Sequence, residues 1–226
     1  MSSRKVVAAL IRKDLRAELR SFEAVPAMTL FVVSAFVLFH FGLDRDAVSG
    51  DLAAGVLWVA LMLTAVLGIT RLFVTEREEG GFDAFLLAPV DRTTMFVAKA
   101  LTLFGFLVIV EVVGVAAFAV LLLDPGLGQA LPELPLLLLL ADAGLAVIGT
   151  LVGALAVQTR ARDLIAPLLA LPLTLPILIA GANATAPLLE RGGAGALDGD
   201  WLLVLALYDG VFGLLTYAVF DYLLED

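Results

Sequence analysis

Six apolar stretches, each long enough to cross a lipid bilayer, constrain the fold of this chain more than any other feature. They cover residues 24–43, 52–74, 95–123, 134–158, 164–181 and 201–222. A helix spans the bilayer core with roughly 20 apolar residues, whereas a soluble helix carries polar residues along one face. Of the 226 residues, 62% are hydrophobic, and the charged 16% cluster between the stretches. The sequence therefore predicts an all-α polytopic membrane protein with six transmembrane helices in a single membrane domain, residues 1–226.

The residue types present exclude several kinds of chemistry. The chain has no cysteine and one histidine, so a thiolate site or a site of clustered histidines cannot form. It contains no G-x-x-x-x-G-K-[ST] phosphate loop, no Ser/His/Asp arrangement and no soluble segment long enough for a nucleotide-binding domain. We expect a non-catalytic subunit without a metal site or a nucleic-acid partner, and any ATP must be hydrolysed by another chain.

The distribution of basic residues predicts the orientation. With the N-terminus inside, only Arg45 and Arg191 of the fourteen basic residues fall outside. Because loops rich in lysine and arginine stay in the cytosol, both termini are expected there. The chain opens with a charged segment instead of a short basic region and an apolar core, so we expect no removable signal peptide.

Residues 4–23 form an amphipathic segment ahead of the first span. One stripe at helical spacing is apolar and a second is basic. The apolar stripe comprises Val7, Ile11, Leu15, Leu19 and Phe22. This pattern predicts a helix in the cytosolic interface, in contact with membrane lipid. Its role is open between a topology anchor and a lever that moves with a transport cycle.

A polar island, residues 76–92, separates the second and third spans. Gly80 and Gly81 break the chain after a charged run, a short apolar helix face follows, and Pro89 ends it. Periodicity fits two interpretations equally: a helix that docks onto a soluble partner, and a helix that lies on the bilayer surface.

The island resembles the cytosolic coupling segment of the cytochrome c maturation protein B (CcmB) family. The matching residues are Glu76-Arg-Glu-Glu and, after Gly80-Gly81, Phe82-Asp-Ala-Phe-Leu-Leu-Ala-Pro-Val-Asp91. Three further stretches agree in order along the chain. They are Lys13-Asp-Leu-Arg-Ala-Glu-Leu-Arg20, Gly55-Val-Leu-Trp-Val59, and Leu207-Tyr-Asp-Gly-Val-Phe212 with the terminal Phe220-Asp-Tyr-Leu-Leu-Glu-Asp226.

The resemblance implies a permease subunit of an ABC-type complex in the cytoplasmic membrane of a prokaryotic cell. It implies four partners: an ATP-binding subunit, a second copy of the chain, a haem-handling membrane subunit and a periplasmic haem chaperone. ATP hydrolysis would drive either haem export or release of the haem-loaded chaperone, with haem as a possible substrate and no cofactor bound directly. The ATPase-coupling residues would be Glu76, Glu78, Phe82, Asp83, Phe85, Leu86, Leu87, Pro89 and Asp91.

Two other functions remain open at this point. One is an exporter permease for a non-haem substrate, such as a drug or a glycan precursor. The other is a non-transporting membrane scaffold that relays ATPase motion to the haem chaperone.

Ionisable residues within the spans are candidates for a substrate or proton pathway, because each is costly in lipid unless it is paired, hydrated or neutralised. They are Arg71, Glu111, Asp142 and Asp209, and the last two are expected to share one polar layer. The alternative is that each acid is protonated or hydrogen-bonded to a neighbouring helix. Lys99, near the inner end of its span, is expected to extend its ammonium group into the interface.

Three weaker features complete the set of candidates. His40, near the outer end of the first span, is a haem-ligand candidate, although an isolated interfacial histidine often has no such role. Three prolines, Pro167, Pro172 and Pro176, predict a kinked or softened fifth span that serves either gating or packing. Gly149 and Gly153 form a G-x-x-x-G motif that is compatible with a dimer face.

Overall fold

The computed structural model describes residues 3–45, 47–73, 92–123, 132–157, 159, 162–190 and 197–223. Within these residues the chain forms seven α-helices and a 3₁₀ helix. They are α1 Ser3–Ser21, α2 Ala24–Gly42, α3 Gly50–Arg71, α4 Arg92–Leu121, α5 Leu134–Val157, α6 Arg162–Thr185, the 3₁₀ helix Ala186–Leu189 and α7 Gly199–Leu223.

The predicted all-α membrane fold is confirmed. Helices α2 to α7 are each long and apolar enough to cross a membrane. In the described part of the chain, extended pairing is limited to an isolated bridge between Val48 and Leu123, beside which the Val48 N–H donates to the Leu122 carbonyl at 2.8 Å. Of the island 76–92, the structure describes only Arg92. The predicted coupling helix therefore lies outside the described residues.

The predicted end of the fifth span, at residue 181, is wrong. Helix α6 continues to Thr185 and the 3₁₀ helix extends the rod to Leu189, so part of the expected Gly-rich connector is helical. The reason lies in the polar side chains of this turn. Asn183 donates to the Ile179 carbonyl at 2.7 Å and Thr185 donates to the Gly181 carbonyl at 2.6 Å. Both side chains thus hydrogen-bond to the preceding turn of the helix, which satisfies the Thr185 hydroxyl where it is buried.

Helix α3 is the centre of the bundle and packs against α2, α4, α5 and α6. Its Trp58 is almost fully buried, and the indole Nε1–H donates to the Thr185 hydroxyl at 2.8 Å. Helices α2 and α7 lie at the periphery and expose large apolar side chains such as Leu38 and Leu214. Such exposure is expected of helix faces that meet lipid.

Glycines allow α3 to approach its neighbours closely. A Cβ added at Gly149 would lie 2.6 Å from Cγ1 of Ile69, and one at Gly153 would lie 2.9 Å from Cδ2 of Phe73. Both notches of the G-x-x-x-G motif are therefore filled from within the chain. The interpretation of this motif as a dimer face is wrong, because α3 already occupies it.

The three prolines of α6 do not interrupt it, since the helix is continuous through Pro167, Pro172 and Pro176. Between the last two, the Thr174 hydroxyl donates to the Ala170 carbonyl at 2.9 Å. The Tyr208 hydroxyl of α7 donates to the Leu173 carbonyl at 2.6 Å, so α7 is fastened to this proline-containing turn.

Gly181→Ala is expected to destabilise the bundle. A Cβ at this position would lie 2.5 Å from Cζ2 of Trp58, whose rigid ring is held by Thr185 and cannot move aside. Overpacking of this kind costs about 1–3 kcal/mol. Gly105→Ala is the matched control, because nothing lies within 4 Å of its added Cβ and helix propensity favours alanine. Thermal unfolding in detergent measures both variants, and equal midpoints would contradict the prediction.

Candidate functional site

A buried charged cluster lies at the end of the bundle where α2 begins and α7 ends, which we call the terminal end. Asp14 of α1 and Lys99 of α4 face each other there, with 3.0 Å between Oδ2 and Nζ, and their side chains are only 8% and 6% exposed. The Thr102 hydroxyl donates to the same Asp14 oxygen at 3.4 Å, and Lys13 Nζ lies 3.4 Å from Oδ1. An ion pair this deeply buried needs such additional polar contacts to offset desolvation.

Lys99 also holds the end of α3. Its ammonium group donates to the Leu72 carbonyl at 3.2 Å and lies 5.5 Å from the centre of the Phe73 ring. Leu72 and Phe73 are the residues after which the chain enters the segment 74–91. The expectation that Lys99 extends into the interface is therefore wrong, because a buried carboxylate, a carbonyl and an aromatic face bind the ammonium inside the protein.

A second carboxylate fixes the elbow between α1 and α2. Glu18 accepts hydrogen bonds from the backbone N–H groups of Ala24 at 3.2 Å and of Val25 at 2.8 Å. These N–H groups open α2 and have no partner within the helix, so a carboxylate satisfies them and also suits the positive end of the helix dipole. The connecting residue Phe22 adopts a φ of 50°, which allows the chain to turn sharply.

Arg71 lies at the terminal end as well, apart from the deeper acids with which it was grouped. Its guanidinium lies 3.9 Å from the Glu23 carboxylate, and the two side chains are 44% and 66% exposed. An exposed pair at this distance contributes little to stability.

Two acids of the candidate pathway meet in the bundle. Glu111 of α4 and Asp142 of α5 lie beside each other, so that their carboxyl groups interact directly. Neither Asp142 oxygen has a hydrogen-bond partner in the described residues. Asp142 is fully buried and Glu111 is 8% exposed. Two neighbouring buried carboxyl groups disfavour double ionisation, so the pair can hold a proton.

Asp209 of α7 approaches the same helix from another side. Its carboxyl group packs directly against Gly144, where a Cβ would collide with it. Gly144 and Asp142 are two residues apart and point about 200° from each other around α5. Asp142 and Asp209 thus lie at the same height along α5, as a shared layer requires, but on different sides of that helix. The carboxyl group next to Asp142 is that of Glu111. Both Asp209 oxygens are buried, and no described group hydrogen-bonds to them.

His40 lies at the end of α2 far from the termini. Its Nδ1 is 2.6 Å from the Leu121 carbonyl, which can only accept, so Nδ1 donates in this bond and Nε2 is the ring nitrogen left for another contact. Histidines that bind a metal are often oriented by such a bond. The described residues contain no group of three His, Cys, Asp or Glu that could hold a metal ion. His40 therefore remains a predicted haem ligand on its own.

The structure brings Glu111 and Asp142 together, places Asp209 at the same level on another side of α5, and leaves Arg71 and His40 elsewhere. The nine predicted coupling residues between 76 and 91 lie outside the described residues. Sequence reasoning missed Asp14 as a functional candidate. The sequence did contain one indication that Asp14 is buried, namely its position on the face that α1 turns toward the bundle. Asp14 shares that face with Leu10, Ile11, Ala17 and Glu18. Leu15, Leu19 and Phe22 of the predicted apolar stripe are exposed instead.

Comparison with known proteins gives one family along nearly the whole chain. The family model described as CcmB protein matches residues 5–223. The heme exporter protein B of Rhodobacter capsulatus is 33% identical over 188 residues, which cover 83% of this chain and 84% of that protein. The proteins of the same name from Paracoccus denitrificans and Haemophilus influenzae are 32% and 28% identical. The shares covered are 88% of each chain in the first case and 93% of each in the second.

Asp142→Asn is expected to stabilise the isolated subunit. The amide can donate to Glu111, which replaces two facing carboxyl groups by a hydrogen-bonded pair worth about 1 kcal/mol. For a chain of this size the midpoint of thermal unfolding should rise by about 2–4 °C. Glu190→Gln, which neutralises an exposed carboxyl group, is the control and should leave the midpoint unchanged. A lower midpoint for Asp142→Asn would show that the acid has a stabilising partner.

Proposed function

The chain belongs to the CcmB family, and from that membership we propose that it is the membrane-spanning permease subunit of a haem exporter that serves cytochrome c maturation. The observation that carries the proposal is the family match over residues 5–223. The relatives' name, heme exporter protein B, supports haem as the substrate. The bundle of six apolar helices supplies the membrane-spanning body that such a subunit needs.

ATP hydrolysis is proposed to take place on a separate ATP-binding subunit. Supporting this division of labour, the sequence has no phosphate loop and no soluble domain. The complex would contain a second copy of this chain and a haem-handling membrane subunit. ATP hydrolysis would drive either export of haem or release of the haem-loaded periplasmic chaperone.

The terminal end is proposed to face the cytosol, in the cytoplasmic membrane of a prokaryotic cell. The positive-inside distribution supports this orientation, because Arg71, Lys99 and the basic residues of α1 all belong to that end. The coupling segment 76–92 would then meet the ATP-binding subunit. Phe82, Phe85, Leu86 and Leu87 are its proposed docking face, flanked by Glu76, Glu78, Asp83, Pro89 and Asp91.

Glu111, Asp142 and Asp209 are proposed to form a hydrated or protonated layer within the bundle. Burial of the Asp142 and Asp209 oxygens argues against direct docking of a partner's basic group on either acid. Negative charge there would also repel haem propionates, so this layer would not line the haem route. Because an amide cannot take up or release a proton, Asp142→Asn should lower transport if the layer acts as a protonation-linked switch, even though it stabilises the subunit; unchanged transport would leave the layer without a role.

Haem movement itself is the decisive test of the proposed function. The chain is reconstituted into vesicles with its ATP-binding subunit and its haem-handling partner, and haem is measured on the far side of the membrane. ATP-dependent transfer supports the exporter and excludes a scaffold that only relays motion. ATPase activity that is stimulated by a drug or a glycan precursor and not by haem would instead indicate a different substrate.

Replacing both Leu86 and Leu87 with aspartate should uncouple the ATPase. Two charges in the apolar face would prevent its burial against the ATP-binding subunit, because each would lose its hydration there without a partner. We expect normal membrane insertion but loss of co-purifying ATPase. Leu127→Asp is the control, since this leucine lies in the connector that the charge count assigns to the opposite side. Normal assembly and turnover of the double variant would contradict the docking role.

A further inference from the structure

We propose that the Asp14–Lys99 pair is a mechanical joint that makes α1 move together with the end of α3, so that α1 acts as a lever during the transport cycle. The proposal rests on the proposed function, because the force is supplied where the coupling segment meets the ATP-binding subunit. Asp14 and Lys99 are positioning residues here and touch neither substrate nor nucleotide.

The joint exists because one ammonium group contacts three elements. Lys99 itself belongs to α4, pairs with Asp14 of α1 at 3.0 Å and donates to the Leu72 carbonyl at the end of α3 at 3.2 Å. The Phe73 ring beside it is buried and packs into the Gly153 notch of α5. A displacement of the last residues of α3 therefore changes the surroundings of Lys99 and, through it, the position of Asp14.

From Asp14 the displacement continues to the first span. Glu18 lies four residues further along α1, on the same face, and its carboxylate holds the first N–H groups of α2. Phe22 lets the chain turn with a φ of 50° and leaves no long linker between the two helices. Since α1 is fastened at both Asp14 and Glu18, it transmits movement as a rigid body and does not absorb it.

Stability alone does not account for a buried ion pair at this place. Well-packed apolar residues can replace such pairs without loss of stability, because the desolvation of two charges offsets much of their attraction. What an ion pair adds is a contact of defined direction and register. At the meeting point of three helices, that property keeps α1 aligned with the end of α3.

The test uses the double variant Asp14→Leu/Lys99→Met in complex with the ATP-binding subunit. The variant removes both buried charges together and retains apolar packing, while Lys13, which also contacts Asp14, is 48% exposed and can be hydrated. Movement of α1 is followed by an environment-sensitive fluorophore on Arg16→Cys, an exposed position of α1. Because the chain has no cysteine of its own, the label on this subunit is confined to that site.

In the wild-type background, addition of ATP should change the fluorescence. In the double variant that response should be lost while the ATPase rate stays within about twofold, and haem moved per ATP should fall about tenfold, in the range of typical couplings between sites. A structural role alone would lower assembly and ATPase activity together and would leave the ratio of haem to ATP unchanged. If the double variant does not assemble, Asp14→Asn/Lys99→Gln, which keeps a polar contact, is measured in the same way.

Glu23→Gln is the matched control. It removes the exposed ion pair with Arg71 at the same end of the bundle, and it should retain both the fluorescence response and the haem yield. The proposed joint is contradicted if the double variant keeps the full wild-type fluorescence response and haem yield. It is also contradicted if the fluorophore on α1 never responds to ATP in the wild-type background. A wild-type complex whose α1 responds but which moves no haem contradicts the proposed substrate and leaves the joint standing.

Discussion

Lipid offers neither donors nor acceptors, and the structure depends throughout on how the chain meets that constraint. Backbone groups are satisfied within helices. Four buried threonine hydroxyls, those of Thr64, Thr150, Thr174 and Thr185, donate to the carbonyl four residues earlier. Thr185 then also accepts the Trp58 indole N–H, which joins α3 to α6. Among the described residues, the carboxyl groups of Asp142 and Asp209 and the Thr216 hydroxyl have no hydrogen-bond partner. Ionisable groups placed in this way within membrane spans tend to be functional.

The helical architecture could be predicted because its signal is long and local. A run of about 20 apolar residues identifies a span without any knowledge of its neighbours. The end of the fifth span could not be placed in that way, because Asn183 and Thr185 look like loop residues until their hydrogen bonds to the preceding turn are known. The role of Gly149 and Gly153 also could not be predicted from the sequence. A pair of small residues gives the same sequence pattern whether α3 or another chain packs against it.

The candidate site was only partly predictable, for a related reason. Glu111, Asp142 and Asp209 stand out as charges inside apolar runs, so composition finds them. Asp14 does not, because it sits in a segment rich in charges. Only the contact with Lys99 in the folded chain shows that Asp14 is the buried residue among the charged residues of α1. Asp14 and Lys99 are 85 positions apart, and pairing over that distance produces no periodic pattern in the sequence. The burial of Asp14 can therefore be learned only from the structure.

The hydrogen bond between Trp58 and Thr185 joins residues 127 positions apart, which has a consequence for how the protein is made. During synthesis, α3 enters the membrane long before α6 has left the ribosome. Until then the helix that becomes the centre of the bundle has an unpaired indole N–H. Insertion and folding must therefore be separate stages in the life of this chain. A nascent chain arrested before residue 162 would be integrated in the membrane yet unfolded, a substrate for membrane quality control instead of assembly.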